Sequence, residues 1–222
     1  MIRFDNLTKV FALEGQRKTV ADNINVTFPT GRAVALLGRN GAGKSTLLQM
    51  VAGTLTPTSG RIVSTGTISW PVGFAGSFHP ELSGAQNVRF VGRIYGVDTD
   101  ELIAFVEDFA GLEVHFHLPF RTYSSGMKAR LAFGVSMGIG FDTYLVDEVT
   151  SVGDAAFRER STTVFRERMK NAGAVVVTHS MPQVRELCTS AAVLHNGKLI
   201  YYDALEEGIS AHLENMRNLN AT

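Results

Sequence analysis

The chain has 222 residues, enough for one domain with a subdomain, and its 45% hydrophobic and 19% charged residues are typical of a globular protein. Its 21 basic and 21 acidic residues balance, so no net positive charge favours nucleic acid or an anionic membrane as a partner. The single cysteine, Cys188, excludes an intramolecular disulfide and fits a reducing compartment. No apolar run reaches the about 18 residues that a membrane span needs.

The amino-terminal part of the sequence predicts β-structure and then a glycine-rich loop. Apolar residues recur at every second position around Phe4 and Val26, as in half-buried strands. Residues 33–37 form a short apolar run typical of a strand covered on both faces. The loop after this run leads into a predicted helix over residues 45–52, and residues 61–70 are predicted to form a hairpin interrupted at Gly66.

The pattern becomes helical after Pro80 and then returns to alternating strands and helices. Helices are predicted over residues 86–95, 101–110 and 127–138, which makes roughly 80–140 a helical insert. The later part predicts strands at 144–146 and 174–177, helices at 156–170 and 183–189, and a strand pair over 192–202 that turns at Asn196-Gly197. This alternation indicates an α/β fold with a mostly parallel sheet, whose ligand site lies at the carboxyl ends of its strands.

The glycine-rich loop matches the P-loop pattern, in which a glycine, four residues and then Gly-Lys-Ser/Thr connect a strand to a helix. Its glycines allow successive backbone N–H groups to curl around phosphates, and the helix start adds its positive dipole end. We therefore expect Lys44 to reach the β- and γ-phosphates of a nucleotide and Ser45 Oγ to bind Mg²⁺. The predicted nucleotide-binding residues of the loop are Gly38, Arg39, Asn40, Gly41, Ala42, Gly43, Lys44, Ser45 and Thr46. The alternative, a simple glycine turn, is disfavoured by the complete motif in its strand-to-helix context.

Two acidic residues follow the apolar strand at 144–146. Asp147 is predicted to hold Mg²⁺ through water, and Glu148 is predicted to orient and deprotonate the attacking water. Two acids at a strand end are a weak signal alone. Together with the P-loop upstream they indicate a nucleotide-hydrolysing site.

Two further segments narrow the class of nucleotide-binding protein. Residues 123–127 read Tyr-Ser-Ser-Gly-Met before a predicted helix, and Val177-Thr178-His179 ends a later strand. With these segments the sequence resembles the ATP-binding-cassette (ABC) ATPases across almost its whole length. The signature motif of that family would fall on residues 123–127, its D-loop on residues 151–154 and its switch histidine on His179. A P-loop nucleotide kinase would not explain this combination.

The resemblance implies one ABC ATPase domain over residues 1–222, with a P-loop (RecA-like) core, an antiparallel amino-terminal β-subdomain and the inserted helical subdomain. It also implies a head-to-tail dimer with a second copy of the chain. His179 would contact the γ-phosphate and help to place Glu148, and Asp154 would belong to the D-loop. ATP on one P-loop would be covered by three signature residues of the other protomer: Ser124, Ser125 and Gly126.

The sequence departs from the family pattern at several positions. Leu, the first Gly and Gln of the usual L-S-G-G-Q signature are replaced, whereas Ser124 and Gly126 are kept. The Q-loop glutamine, which binds Mg²⁺ and faces the membrane partner, has no counterpart between Gln49 and Gln86. By position His79 is the best substitute and Ser77 the second. The adenine-stacking aromatic residue is predicted to be Phe11.

Within the family, residues 67–74, 122–127 and 146–154 look like the ATPase subunits of bacterial capsular polysaccharide exporters. The related O-antigen and teichoic-acid exporter ATPases are alternatives, but many carry an extra carboxyl-terminal domain for which this chain has no room. The resemblance implies a multi-span membrane permease as partner, polysaccharide only as an indirect one, and a place at the cytoplasmic face of the bacterial inner membrane. Four apolar residues are candidates either for a groove that receives the permease or for the core of the helical insert: Phe74, Phe78, Leu82 and Phe90.

A soluble ABC ATPase acting on DNA or ribosomes is the alternative from another functional class. Such proteins usually add coiled-coil arms or a second cassette, and the sequence contains neither. The zero net charge also disfavours nucleic acid as a partner.

Overall fold

A computed structural model describes residues 1–13, 15–73, 76, 78–147 and 154–220. Its strands are β1 (Ile2–Leu13), β2 (Gln16–Phe28), β3 (Ala33–Leu37), β4 (Ser59–Ser64), β5 (Ile68–Pro71), β6 (Thr143–Asp147), β7 (Gly173–Val177), β8 (Ser190–His195) and β9 (Lys198–Tyr202). Its α-helices are α1 (Lys44–Val51), α2 (Gly84–Tyr95), α3 (Thr99–Ala110), α4 (Ser125–Gly138), α5 (Ala155–Met169), α6 (Met181–Leu187) and α7 (Leu205–Asn220). The alternation predicted from the sequence is confirmed, with bounds that shift by at most two residues.

The described residues divide into two compact units. The first contains residues 1–69, 141–147 and 171–220, and the second contains residues 70–140 and 154–170. The second unit includes the predicted helical insert and also α5. The single-domain assignment of the whole chain stays a prediction.

The first unit contains an antiparallel sheet of three strands in the order β2-β1-β4. In β1, Ile2 and Phe4 are both buried, and Phe4 packs edge-on against Phe28 of β2. The every-second-residue pattern therefore marks the face of this sheet that joins the core, as predicted. The antiparallel amino-terminal subdomain expected from the family resemblance is confirmed.

A larger sheet has six strands in the order β5-β6-β7-β3-β8-β9. The β3 strand pairs in parallel with β7 and β8, and β6 pairs in parallel with β7. All five residues of β3 are buried, which explains why this strand reads as an uninterrupted apolar run. The predicted α/β class with a mostly parallel sheet is confirmed, and the predicted strand pair at 192–202 is β8 with antiparallel β9.

The predicted hairpin over residues 61–70 is wrong. β4 belongs to the three-stranded sheet and β5 to the six-stranded sheet, so the chain crosses between sheets instead of turning back. The cause lies next to Gly66, which has a φ of 81°. The Asp142 carboxylate accepts hydrogen bonds from Thr67 N at 2.7 Å and Thr67 Oγ1 at 2.8 Å. These bonds tie the segment to the strand that follows Asp142, and the Thr67 N–H lowers the pKa of that carboxyl.

The second unit is held together by aromatic side chains of its helices. Phe109 of α3 stacks on Phe105 at 5.8 Å and on Phe133 of α4 at 5.7 Å between ring centroids. Phe157 of α5 meets the same Phe109 ring edge-on at 5.2 Å. Stacked and edge-on pairs of this kind add stability beyond the apolar area they bury.

Cys188 is buried, and burial raises the pKa of its thiol to about 12, so it behaves as a core residue. Among the residues that the structure describes, none of the helices has the length and apolar character to cross a membrane.

Candidate active site

The carboxyl ends of three neighbouring strands bring the predicted phosphate-binding residues together. The loop from Gly38 follows β3, Asp147 ends β6, and His179 lies two residues after β7. Asp147 and Val177 are register partners across β6 and β7, so their two strands end at the same level. A pocket of about 630 Å³ opens there, and it is lined by Phe11, Lys18, Val20, Asn40, Gly41, Gly43, Lys44, Ser45, Thr46, Asp147, Val177 and His179.

The loop between β3 and α1 has the strand-to-helix geometry that the P-loop motif predicts. Gly43 is the N-cap of α1, has a φ of 108° and provides no side-chain cap to the helix. A Cβ atom there would lie 2.0 Å from Val20 Cγ1, so the loop can pack this closely only with glycine. Lys44 is largely buried, and its Nζ donates to the carbonyl oxygens of Gly38 at 2.7 Å and Arg39 at 3.1 Å. The ammonium group is thereby held over the concave side of the loop.

Oxygen ligands suited to Mg²⁺ lie in the same pocket. Ser45 carries a hydroxyl at the start of α1, and Asp147 carries a carboxylate at the end of β6. A hydroxyl and a carboxylate are hard oxygen donors that fit this ion, which takes few protein ligands and keeps water and substrate oxygens. Glu148, the predicted catalytic base, lies outside the described residues.

The loop after β7 is fixed by side chains around the exposed His179. Thr178 Oγ1 donates to Gln183 Oε1 at 2.9 Å, and Ser180 N donates to Thr178 Oγ1 at 3.2 Å. Ser180 is also the N-cap of α6. These bonds hold the backbone on both sides of His179, which lines the pocket as the sequence predicts.

The β1–β2 hairpin supplies the remaining wall of the pocket. Phe11 is 41% exposed, and Lys9 Nζ lies 5.0 Å from its ring centroid while donating to the Thr56 carbonyl at 2.8 Å. An anchored cation on one face of the ring leaves the other face for an aromatic ligand. Lys18 and Val20 were not identified from the sequence. The sequence feature that connects them is their spacing of two residues in β2, which places both side chains on the same face of the strand.

The predicted signature segment begins a helix in the second unit. Ser124 is the N-cap of α4, and its Oγ accepts from Met127 N at 3.2 Å. Ser124, Gly126 and Met127 line a cavity of about 320 Å³, together with Gly111, Leu112, Glu113, His115 and Arg130. Because capping uses an acceptor lone pair, the Ser124 hydroxyl keeps its proton for donation. The N–H groups of Ser125 and Gly126 lie in the first turn, where a helix provides no acceptor.

Comparison with known proteins identifies the class of this arrangement. The ABC transporter family matches residues 21–151, which is more than half of the chain. The chain belongs to the ABC transporter family.

Individual relatives agree with this assignment over nearly the whole length. A polysialic acid transport ATP-binding protein, KpsT, from Escherichia coli is 47% identical over 96% of both chains. A capsule polysaccharide export ATP-binding protein, CtrD, from Neisseria meningitidis serogroup B is 39% identical over 93% of this chain and 96% of its own. A dimeric ATP-binding cassette, MJ0796, solved in a post-hydrolysis state with ADP and Pi, has a TM-score of 0.75 at 20% identity and covers 90% of this chain and 96% of its own. At that identity the structural likeness concerns the fold. As an ABC-type ATPase, the chain binds nucleotide.

The predicted D-loop residue of this ABC ATPase, Asp154, caps α5 and reaches the signature helix. Its Oδ1 accepts from Phe157 N at 2.9 Å, and its Oδ2 accepts from Arg130 of α4 at 2.7 Å. The Phe157 N–H, with Arg130 beside it, holds the pKa of this carboxyl below its usual value. The other D-loop residues, 151–153, lie outside the described residues.

The backbone around His79, the predicted substitute for the Q-loop glutamine, is held by Asn87. This buried side chain accepts from His79 N at 2.8 Å and donates to three carbonyl oxygens, those of His79, Leu82 and Ser83, at 3.0 to 3.2 Å. His79 itself is exposed, and its Nδ1 accepts from Glu81 N at 3.3 Å. Ser77, the other candidate, lies outside the described residues.

Proposed function

We propose that this ABC ATPase is the ATP-hydrolysing subunit of a bacterial exporter of capsular polysaccharide. The observation that carries the proposal is the 39–47% identity, over nearly full length, to proteins named for polysialic acid transport and capsule polysaccharide export. The pocket at the P-loop, with its lysine, hydroxyl and carboxylate, supports the ATPase part of the proposal independently of the names.

Several residues at or near the P-loop have a chemical role in the proposed reaction. Lys44 neutralises the β- and γ-phosphates, and the loop N–H groups bind their oxygens. Ser45, and Asp147 through water, would hold Mg²⁺, which would neutralise phosphate charge when bound. Glu148 takes the proton of the attacking water, and His179 contacts the γ-phosphate.

The catalytic unit is proposed to be a head-to-tail dimer. The Ser124 hydroxyl and the N–H groups of Ser125 and Gly126 face the γ-phosphate on the second copy's P-loop, where the α4 dipole adds attraction. ATP therefore joins the two protomers, and hydrolysis releases them. The free donors of the Ser124 cap support this role, since a helix start with its hydroxyl proton available suits a phosphate.

Ser124→Arg is expected to separate ATP binding from turnover. A bulky cation at the signature position blocks closure but leaves the P-loop of the same protomer intact. ATP affinity should stay within about threefold, while phosphate release should fall at least roughly tenfold. Nucleotide fluorescence measures the binding and phosphate release the turnover.

A matched control for this variant is Val114→Arg, because Val114 is 71% exposed in the same unit and carries no proposed role. The control should retain turnover. Equal losses of binding and turnover in Ser124→Arg would mean that Ser124 belongs to its own P-loop site, against the head-to-tail dimer.

A membrane permease is the proposed second partner, at the cytoplasmic face of the bacterial inner membrane. Helix α2 supports this assignment because Phe90, Ile94 and Tyr95 are 52%, 62% and 43% exposed. Apolar side chains grouped on one helix are typical of an interaction surface. Phe78, another groove candidate, is buried against Phe120 and is a core residue instead. Phe74 lies outside the described residues.

His79→Ala tests whether His79 replaces the Q-loop glutamine. Asn87 holds the backbone of this segment, so the alanine variant should fold normally. We expect the stimulation of ATPase activity by the permease to fall at least roughly fivefold, with little change in the isolated subunit. The measurement compares ATPase rates of the subunit and of the complex in lipid.

Two further variants make this experiment specific. His79→Gln should retain coupling, because it restores the residue usual in the family. His117→Ala removes another exposed histidine of the same unit and should leave coupling unchanged. Full stimulation in His79→Ala would mean that His79 is an ordinary loop residue without a role in coupling.

Co-purification tests the proposal as a whole. The tagged chain, expressed with its neighbouring genes, should retain a multi-span membrane protein and hydrolyse ATP in that complex. A stable association with DNA or ribosomes, without a membrane protein, would favour the soluble class instead.

A further inference from the structure

Lys18 is a cation of the nucleotide pocket that neither the P-loop motif nor the family resemblance identifies. It lines the pocket, and a Cβ atom built on Gly41 of the P-loop would lie 4.0 Å from Lys18 Nζ. The exposed Lys18 therefore carries its ammonium group close to the glycine-rich loop. Lys44, by contrast, is buried, and its Nζ donates to the Gly38 carbonyl.

The β1–β2 ladder explains why Lys18 reaches the loop. Lys18 is the register partner of Phe11, so both side chains project from the same face of the sheet. Val20, two residues further on that face, is buried against Gly43 of the loop. One face of the hairpin thus carries an aromatic ring, an ammonium group and an apolar anchor in sequence along the pocket.

The fold has no evident need for a cation at this position. Lys18 is exposed, and it makes no ion pair with any carboxylate of the described residues. By contrast Lys198, elsewhere in the first unit, pairs with Asp22 at 2.7 Å. An ammonium group that projects into a phosphate site without a carboxylate partner is free to meet an anionic ligand.

We propose that Lys18 binds the polyphosphate of the nucleotide from the hairpin side, as a second cation in addition to Lys44. The inference rests on the proposed P-loop site and adds to it a contact from the β-subdomain. It assigns the hairpin two functions, stacking on the base through Phe11 and charge neutralisation through Lys18. The ligand class is a nucleoside di- or triphosphate, whose charge exceeds what one lysine neutralises.

The experiment compares nucleotide affinities of Lys18 variants of the full chain by isothermal titration with MgATP and MgADP. Lys18→Ala and Lys18→Gln should weaken both nucleotides about five- to tenfold, because an exposed charged contact is worth less than a buried one. Lys18→Arg should stay within about threefold of the wild type. The loss should shrink at high salt, since an exposed cation is screened.

Arg17→Ala is the matched control. It removes the same charge from the neighbouring residue of β2, whose side chain alternates to the other face of the strand. This variant should bind both nucleotides like the wild type, and thermal unfolding should be unchanged in all four variants.

Three outcomes would overturn the inference. These are unchanged affinity in Lys18→Ala, an equal loss in Arg17→Ala, and a loss in Lys18→Arg as large as in Lys18→Ala. The Lys44→Ala variant distinguishes a failure of the Lys18 inference from a failure of the proposed P-loop site. If Lys44→Ala loses nucleotide and Lys18→Ala does not, the P-loop assignment stands and only the second cation is wrong.

Discussion

Lys44→Ala is expected to abolish productive ATP binding. Lys44 Nζ is held over the loop by the carbonyl oxygens of Gly38 and Arg39, at the position where the motif puts the β- and γ-phosphates. Without it the buried side of the pocket has no cation, so ATP affinity should fall at least roughly a hundredfold, or about 3 kcal/mol. Equilibrium binding of a fluorescent nucleotide and steady-state phosphate release both measure the loss.

A second variant shows whether the loss of charge alone matters. Arg32 is exposed just before β3, at the opposite end of the strand that leads into the loop. Arg32→Ala makes the same change in net charge far from the pocket and should bind ATP normally. Wild-type ATPase activity in Lys44→Ala would contradict the P-loop assignment and therefore the proposed reaction.

The parts of this site that were predictable from sequence are those set by local pattern. A buried parallel strand, a glycine-rich turn and a helix start occupy consecutive residues, so the loop from Gly38 to Ser45 is visible without a structure. Asp147 and His179 follow apolar strands, and parallel strands end at one edge of a sheet. Their meeting in one pocket also depends on the strand order β6-β7-β3, which the sequence does not give.

Other features depend on contacts between distant segments and could not be read from the sequence. Residues 61–70 contain a turn signal at Gly66, but bonds such as those from Thr67 to Asp142 tie the chain to a different sheet. Lys18 is one of several charged residues in β2. Its place in the pocket depends on the register that sets it opposite Phe11 and on the packing of Val20 against Gly43.

The cap geometry explains how the signature can tolerate its altered sequence. In the proposed contact Ser125 contributes its backbone N–H, which any residue except proline supplies at the first helical position. Met127 N donates to Ser124 Oγ, so at this position too the cap uses the backbone and not the side chain. The cap requires the side chain of Ser124, and this serine of the usual signature is retained. The replacements at 125 and 127 are therefore compatible with a working signature.

Glu148→Gln is expected to slow hydrolysis and to stabilise the closed dimer at the same time. The amide keeps the shape of the side chain but cannot take a proton from water. Loss of a general base typically costs about 10² to 10⁴ in rate, or roughly 3 to 5.5 kcal/mol of barrier. ATP binding should survive, because Lys44, Ser45 and Asp147 are unchanged. Removing a negative charge beside the γ-phosphate should also favour closure.

The two effects are measured together, as phosphate release and as the molecular mass of the ATP-bound protein in size-exclusion chromatography with light scattering. An ATP-dependent dimer should persist in Glu148→Gln, and ADP should not support it, because the signature residues need a γ-phosphate to bind. Glu159→Gln makes the same chemical change at an exposed position of α5 and should behave like the wild type. If the isolated subunit dimerises too weakly, the same comparison applies to the permease complex. Fast hydrolysis by Glu148→Gln would mean that another residue is the catalytic base, with Asp154 and His179 as the next candidates.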